Sequence, residues 1–185
     1  MTVVTDRTSS DLRDRIKRAI RDVPDFPKPG IMFKDITPLL ADASLFRETT
    51  DAMADVFANE RITHVVAIES RGFILGAPVA QRLDAGFVPV RKAGKLPAKT
   101  VAEEYALEYG TDILEVHADA CEWSRKPRIL IVDDVLATGG TADATRRLIE
   151  GLGAEVVGFS FLIALKFLPG LARLGSKPMR ALITY

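Results

Sequence analysis

Cysteine is almost missing from this sequence, and that scarcity bounds the chemistry first. One cysteine, Cys121, in 185 residues excludes an intrachain disulfide framework and reads as a small, inert side chain. The two histidines lie far from each other, and His117 with the nearby Cys121 makes no metal-ligand set by itself. Neither sign of charge is in excess. With 25 Lys and Arg against 25 Asp and Glu, there is no broad basic footprint for a nucleic acid. No stretch reaches the roughly 18–20 apolar residues of a membrane span. The best candidate, 156–168, contains Lys166 and reads better as a strand and its exit. The opening "MTVVTDRTSSDLRDR" lacks the apolar region of a secretion signal. A cytoplasmic protein with neither membrane nor nucleic-acid partner is expected.

What is present is an ordinary globular composition, 48% apolar and 27% charged, in a length that suits one domain, 1–185. Leu12, Ile16, Ala19 and Ile20 recur at helical spacing, with Asp11 as a start signal. Then "VPDFPKPGIMFKDITPLL" carries prolines at 24, 27, 29 and 38 and reads as rigid non-helical chain. Its apolar Phe26, Ile31, Met32 and Phe33 imply that it lies against something. The residues alone leave open a structural cover over a sheet or a lid over a ligand.

Helical patterns follow at 45–58 and 73–83, the second with Pro78 placed in its opening turns. "THVVAIES" (63–70), "GFVPVRK" (86–92), "RILIVDD" (128–134), "AEVVGFSFLIAL" (154–165) and "MRALITY" (179–185) read as strands. Thr138 or Thr141 can begin the helix whose inner face carries Ala144, Leu148, Ile149 and Leu152. "DILEVHAD" suggests a polar strand near an edge, inside a segment, 100–119, that reads as an excursion from the core. Apolar strands alternating with amphipathic helices predict an α/β fold, an open, mostly parallel twisted sheet flanked by helices.

In such a sheet, ligands bind beyond the carboxyl ends of the strands. Asp133 and Asp134 stand at one such end, and "ATGGT" follows with backbone amides, two hydroxyls and a helix N-terminus. That combination forms an anion site. Two adjacent carboxylates need donors or a metal to offset their desolvation. They could accept from two sugar hydroxyls or hold Mg²⁺ while the loop holds a phosphate, and a sugar phosphate has both ends at suitable separation. Neither the Walker spacing nor the dinucleotide fingerprint is present.

"VDDVLATGGT" resembles the phosphoribosyl-pyrophosphate (PRPP) motif of the type I phosphoribosyltransferases. "DFPKPGIMFKDITPLL", "ESRGFILGAPVA", "VRKAGKLP" and "YALEYG" resemble segments of the adenine-specific members, in the same order over roughly 22–165. The resemblance implies transfer of 5-phosphoribosyl from PRPP to adenine N9, giving AMP and pyrophosphate, with Mg²⁺ and as a homodimer. It gives Asp133 and Asp134 the ribose hydroxyls, with Mg²⁺ near them through PRPP and water. Ala137, Thr138, Gly139, Gly140 and Thr141 receive the 5′-phosphate. Pyrophosphate falls to Ser70, Arg71, Arg91, Lys92 and Lys95, with Arg71 and Lys92 also serving catalysis. The related fold often has a cis peptide that would fall at Glu69–Ser70.

The same resemblance makes residues 1–40 a helix and base-binding hood. Ile31, Met32, Phe33 and Lys34 would form one side of the adenine pocket and Val135 the other. Residues 92–107 become a mobile catalytic loop, Glu108 shares a proton with adenine N7, and Tyr105 and Tyr109 serve as packing or loop anchors. Two alternatives stay open: a 6-oxopurine phosphoribosyltransferase, and a non-catalytic PRPP-sensing regulator that binds nucleic acid.

Overall fold

The computed structural model describes residues 8–106, 110–122 and 124–185. Helix α1 (Ser10–Ala19) starts two residues earlier than Asp11 suggested. Ser9 is the cap, its hydroxyl accepting from the Leu12 amide at 3.1 Å, and Asp11 lies in the first turn. Strands β1 (Arg21–Val23) and β2 (Phe33–Asp35) form a small antiparallel ribbon that brackets the proline-rich segment. That segment is not wholly non-helical. Pro38 sits in the first turn of α2 (Thr37–Ala41), where a missing amide hydrogen leaves no helical bond unmade. Asp42 then caps α3 (Ala43–Asp55), accepting from the amides of Ser44 and Leu45.

The main sheet contains β3 (His64–Ile68), β4 (Gly86–Lys92), β5 (Thr100–Ala106), β6 (Thr111–His117), β7 (Arg128–Leu136), β8 (Glu155–Ala164) and β9 (Met179–Thr184). Its order is β5-β6-β4-β3-β7-β8-β9. Strands β4, β3, β7, β8 and β9 run parallel, and β5 and β6 extend the sheet antiparallel. The 100–119 segment is therefore no excursion from the core. Its alternating polar residues belong to strands at the sheet's end, while Tyr105, Leu114 and Val116 turn inward and are buried. Strand β5 also takes 100–106 out of the expected 92–107 loop, and the stretch ahead of β5 is left as turn and irregular chain.

Helices α4 (Arg71–Arg82), α5 (Gly140–Gly151) and the short α6 (Gly170–Arg173) complete the fold. Pro78 lies well inside α4, not in its opening turns, because the helix begins already at Arg71. Alternation along the central strands feeds two cores, one on each face. Val66, Ile129, Ile131 and Phe159 pack with Leu148 and Ile149 of α5, whereas Val65, Leu130 and Leu162 pack with Ile16, Met53 and Leu75. Cys121 is buried in the first core, and burial pushes its thiol pKa up.

Sequential strands leave β3 in opposite directions, toward β4 on one side and β7 on the other. A crevice opens where the order reverses, at the carboxyl ends of β3 and β7. There β7 outruns its neighbour. Pairing with β3 ends at Val132, while pairing with β8 continues to Leu136, so the two aspartates project from a strand supported on one side.

Candidate active site

A cavity of about 610 Å³ occupies that crevice. Its floor is the β7 acid pair with Val135. Asp134 is only 5% exposed, and its amide donates to Asp133 Oδ1 at 2.9 Å. Burial raises the pKa of both carboxyls; the adjacent Asp134 charge adds to the rise at Asp133, and Arg71 opposes it at Asp134. Arg71 Nε lies 2.7 Å from Asp134 Oδ2 as an ion pair. The close approach of α4 requires Gly72, since a β-carbon there would stand 2.8 Å from Asp133 Oδ1.

The anion cradle follows directly. Gly139, at φ 76°, is the N-cap of α5, and no side chain caps the helix. Neither Thr138 nor Thr141 begins it, contrary to the sequence expectation, so first-turn amides are left without a side-chain acceptor. A smaller hollow of about 70 Å³ is lined by Ala137, Thr138, Gly139 and Thr141 with Asp133 and Val135. Gly140 follows them, and a β-carbon there would stand 3.2 Å from the Arg173 guanidinium and 3.6 Å from the Tyr105 ring.

The third wall is cationic, and its cations are engaged. Glu69 follows β3 and its peptide bond to Ser70 is cis, as the resemblance implied. Its carboxylate accepts from Arg91 Nε at 2.9 Å and Lys95 Nζ at 2.6 Å, and Arg91 also donates to the Lys95 carbonyl. Burial pushes the Glu69 pKa up, but the Lys95 and Arg91 bonds outweigh it and hold the group below its ordinary value. Lys92 Nζ lies 2.9 Å from Asp112 Oδ2. Tyr105 is a buried core residue, in keeping with the packing alternative. Burial raises its pKa, and its hydroxyl stands beside Thr141 and 3.4 Å from Asp112.

The hood forms the fourth wall. Ile31 and Met32 are 40% and 49% exposed, unusual for apolar side chains lining a cavity. Phe33 stacks edge-on with Phe26, and the Arg71 guanidinium carbon lies 4.9 Å from its ring centroid. The Lys34 ammonium engages Asp22 at 2.6 Å and lies 3.9 Å from the centre of the Tyr185 ring.

Ile31 to Lys34, Ser70, Arg71, Lys92, Tyr105, the acid pair, Val135, Ala137 and Thr141 thus meet in one cavity. Arg91 and Lys95 stand outside its lining, bound to Glu69 at the rim. Glu108 and Tyr109 lie outside the described residues. The sequence reading missed Glu69 and Asp112 as site residues, together with the apolar walls Ile68, Leu114 and Leu165. Glu69 stood inside the quoted "ESRG", whereas nothing local in the sequence marks Asp112.

An open parallel sheet with an acid pair and an anion cradle at its switch point defines a phosphoribosyltransferase, and the phosphoribosyl transferase domain family matches residues 36–166. The adenine phosphoribosyltransferase of Myxococcus xanthus (strain DK1622) is 55% identical over 178 residues, 96% of each chain. That of Rhodothermus marinus DSM 4252 superposes with a TM-score of 0.90 at 54% identity, over 96% of this chain and 100% of the other. The Saccharomyces cerevisiae enzyme, complexed with D-2,5-dideoxy-2,5-imino-altritol 1,6-bisphosphate and adenine, gives 0.87 at 36% identity, over 94% and 99%. The chain belongs to the adenine phosphoribosyltransferase family and is a transferase.

Proposed function

We infer that this chain transfers the 5-phosphoribosyl group of PRPP to N9 of adenine, forming AMP and pyrophosphate in purine salvage. One observation carries the reading: a single cavity joins an apolar hood, an acid pair with an anion cradle, and a cationic wall. Those three surfaces answer, in order, to a flat base, a ribose phosphate and a diphosphate. The complex of the Saccharomyces cerevisiae relative with adenine and an imino-sugar bisphosphate supports the same division.

Asp133 and Asp134 accept from the ribose hydroxyls, and residues 137–141 receive the 5′-phosphate on helix amides. Ile31, Met32 and Phe33 sandwich the purine against Val135, and backbone groups near Met32 and Lys34 read its amine. A 6-oxopurine reverses a donor into an acceptor there and leaves a pocket group unpaired. As the C1′–oxygen bond to pyrophosphate breaks, Ser70, Arg71, Arg91, Lys92 and Lys95 face the developing negative charge. Closure of the 93–99 stretch, between β4 and β5, excludes water from the ribosyl centre. Glu108 holds the proton at adenine N7.

The acid pair also fits Mg²⁺. Asp134 Oδ2 is buried with no hydrogen-bond partner among the described residues, only the Arg71 charge. Two carboxylates make no cage alone; they suit an ion that brings water and substrate oxygens with it. Mg²⁺, bound with PRPP near Asp133 and Asp134, supplies positive charge to the departing diphosphate. No helix among the described residues is long and apolar enough to cross a membrane.

The test is turnover of PRPP and Mg²⁺ with adenine, hypoxanthine, guanine and xanthine, following pyrophosphate and nucleotide. Adenine should be preferred by two orders of magnitude or more, roughly what rejection by an unpaired polar group provides. Equal turnover of hypoxanthine would overturn the base assignment, and PRPP binding without any turnover would make the chain a sensor. A single-turnover run with Glu108→Gln should be slower by about 10²–10⁴-fold. An unchanged rate would remove proton transfer from Glu108.

A further inference from the structure

Each cation assigned to the diphosphate is held by a carboxylate of its own chain. Arg91 and Lys95 share Glu69, Arg71 pairs with Asp134, and Lys92 pairs with Asp112. Two of these carboxylates have other work. Asp134 belongs to the ribose pair, and Glu69 ties Arg91 at the end of β4 to Lys95 in the turn that follows. Asp112 has no such explanation. It stands at the start of β6 with its side chain 21% exposed and lines the cavity itself. Oδ1 accepts from the adjacent Ile113 amide at 2.9 Å, which leaves Oδ2 to Lys92 at 2.9 Å and the Tyr105 hydroxyl at 3.4 Å.

A negative charge inside a polyanion site opposes the ligand unless the charge serves a purpose. Resting on the function proposed above, we propose that Asp112 is a positioning residue that stands in for a phosphate of the ligand at Lys92. The lysine side chain is 55% exposed on a flexible stem and would otherwise sample many rotamers. Asp112 holds its ammonium at the cavity while the site is empty, and competes for it once a diphosphate arrives. The pair's mutual hydrogen bond raises the pKa of Lys92 and lowers that of Asp112, so both are charged at neutral pH. Even when the ammonium bridges the two anions, the carboxylate remains as a like charge beside the phosphate. Asp112 thereby weakens diphosphate binding and favours its release.

Calorimetric titration of inorganic pyrophosphate into the full chain in metal-free buffer tests this. Asp112→Asn keeps the shape and the bond from the Ile113 amide while removing the charge. It should bind pyrophosphate about threefold to tenfold tighter, the change a partly screened neighbouring charge produces. Asp112→Glu should return affinity to the wild-type value, and adenine affinity should be equal in all three proteins. A merely structural role for Asp112 would weaken both ligands. Unchanged or weaker pyrophosphate binding by folded Asp112→Asn, with wild type binding normally, overturns the inference and leaves the function standing. Wild-type protein that takes up no pyrophosphate either in metal-free buffer or with Mg²⁺ added overturns both.

Discussion

Asp133 occupies a place hostile to a carboxylate, and its protonation should be visible in the stability of the protein. Burial and the charge of Asp134 raise its folded pKa well above the ordinary value of 3.8. The folded state therefore holds a proton that the unfolded state has released, and stability falls as pH rises from the ordinary carboxylate range through the raised value. Asp133→Asn removes that penalty. It should melt higher than wild type at pH 7, with the advantage vanishing near pH 3, while its PRPP affinity falls at least tenfold through the loss of a charged acceptor. Melting curves across pH and PRPP calorimetry check the two halves; a variant no more stable at pH 7 would contradict the first. Both aspartates were legible in the sequence because their chemistry is local: an apolar run, two acids and a glycine-bearing loop stand consecutively. Glu69 and Asp112 were not. Glu69 takes Arg91 from 22 residues away, and Lys92 reaches Asp112 only because β6 pairs antiparallel with β4. No spacing along the chain encodes such a meeting.

Among the elements, α6 is one that periodicity could not show, since four residues make little more than a turn. It nevertheless braces the phosphate cradle from behind. A β-carbon on Gly170 would lie 2.2 Å from the Ala137 carbonyl oxygen, and one on Gly139 would lie 2.9 Å from Gly170 Cα. Both obstacles are backbone and neither can swing aside. Gly170→Ala should push α6 off residues 137–139, costing about 1–3 kcal/mol of stability as an overpacked contact. Its PRPP affinity should fall while adenine affinity holds, because the hood is remote from the disturbance. Denaturant unfolding and calorimetry would report both, and an alanine variant with wild-type stability and PRPP binding would refute the bracing role. Strand β4 was readable to the residue because β-branched side chains fill a sheet interior. Strand β5 was not, because its adjacent acids Glu103 and Glu104 resemble a solvated loop until β6 pairs with it.

For the molecule as a whole, homodimerisation is what the resemblance implies, and one surface would suit it. Ile74 of α4 is 44% exposed and Phe87 of β4 is 36% exposed, with Phe73 packed edge-on against Phe87. This apolar face lies near the strand that delivers Arg91 and Lys92, so a second copy seated there could share cations between sites. Light scattering should report twice the 20.2 kDa chain mass. Ile74→Asp should shift the protein to monomer and lower the turnover of PRPP; a wild-type protein that is monomeric and active would end the argument. The sheet and its two faces were legible because each needs only hydrophobic period. The apolar face was not, because nothing in one chain's periodicity tells a partner's surface from a core.

Arg71 touches both halves of this molecule's business at once. Its guanidinium is paired with Asp134 on one side and lies against Phe33 of the hood on the other. A diphosphate that draws the guanidinium toward itself therefore frees an acid for ribose and uncovers an aromatic face for a base in the same movement. The two substrates are then thermodynamically linked, and the linkage is symmetric: whatever factor PRPP applies to the affinity for adenine, adenine returns to PRPP.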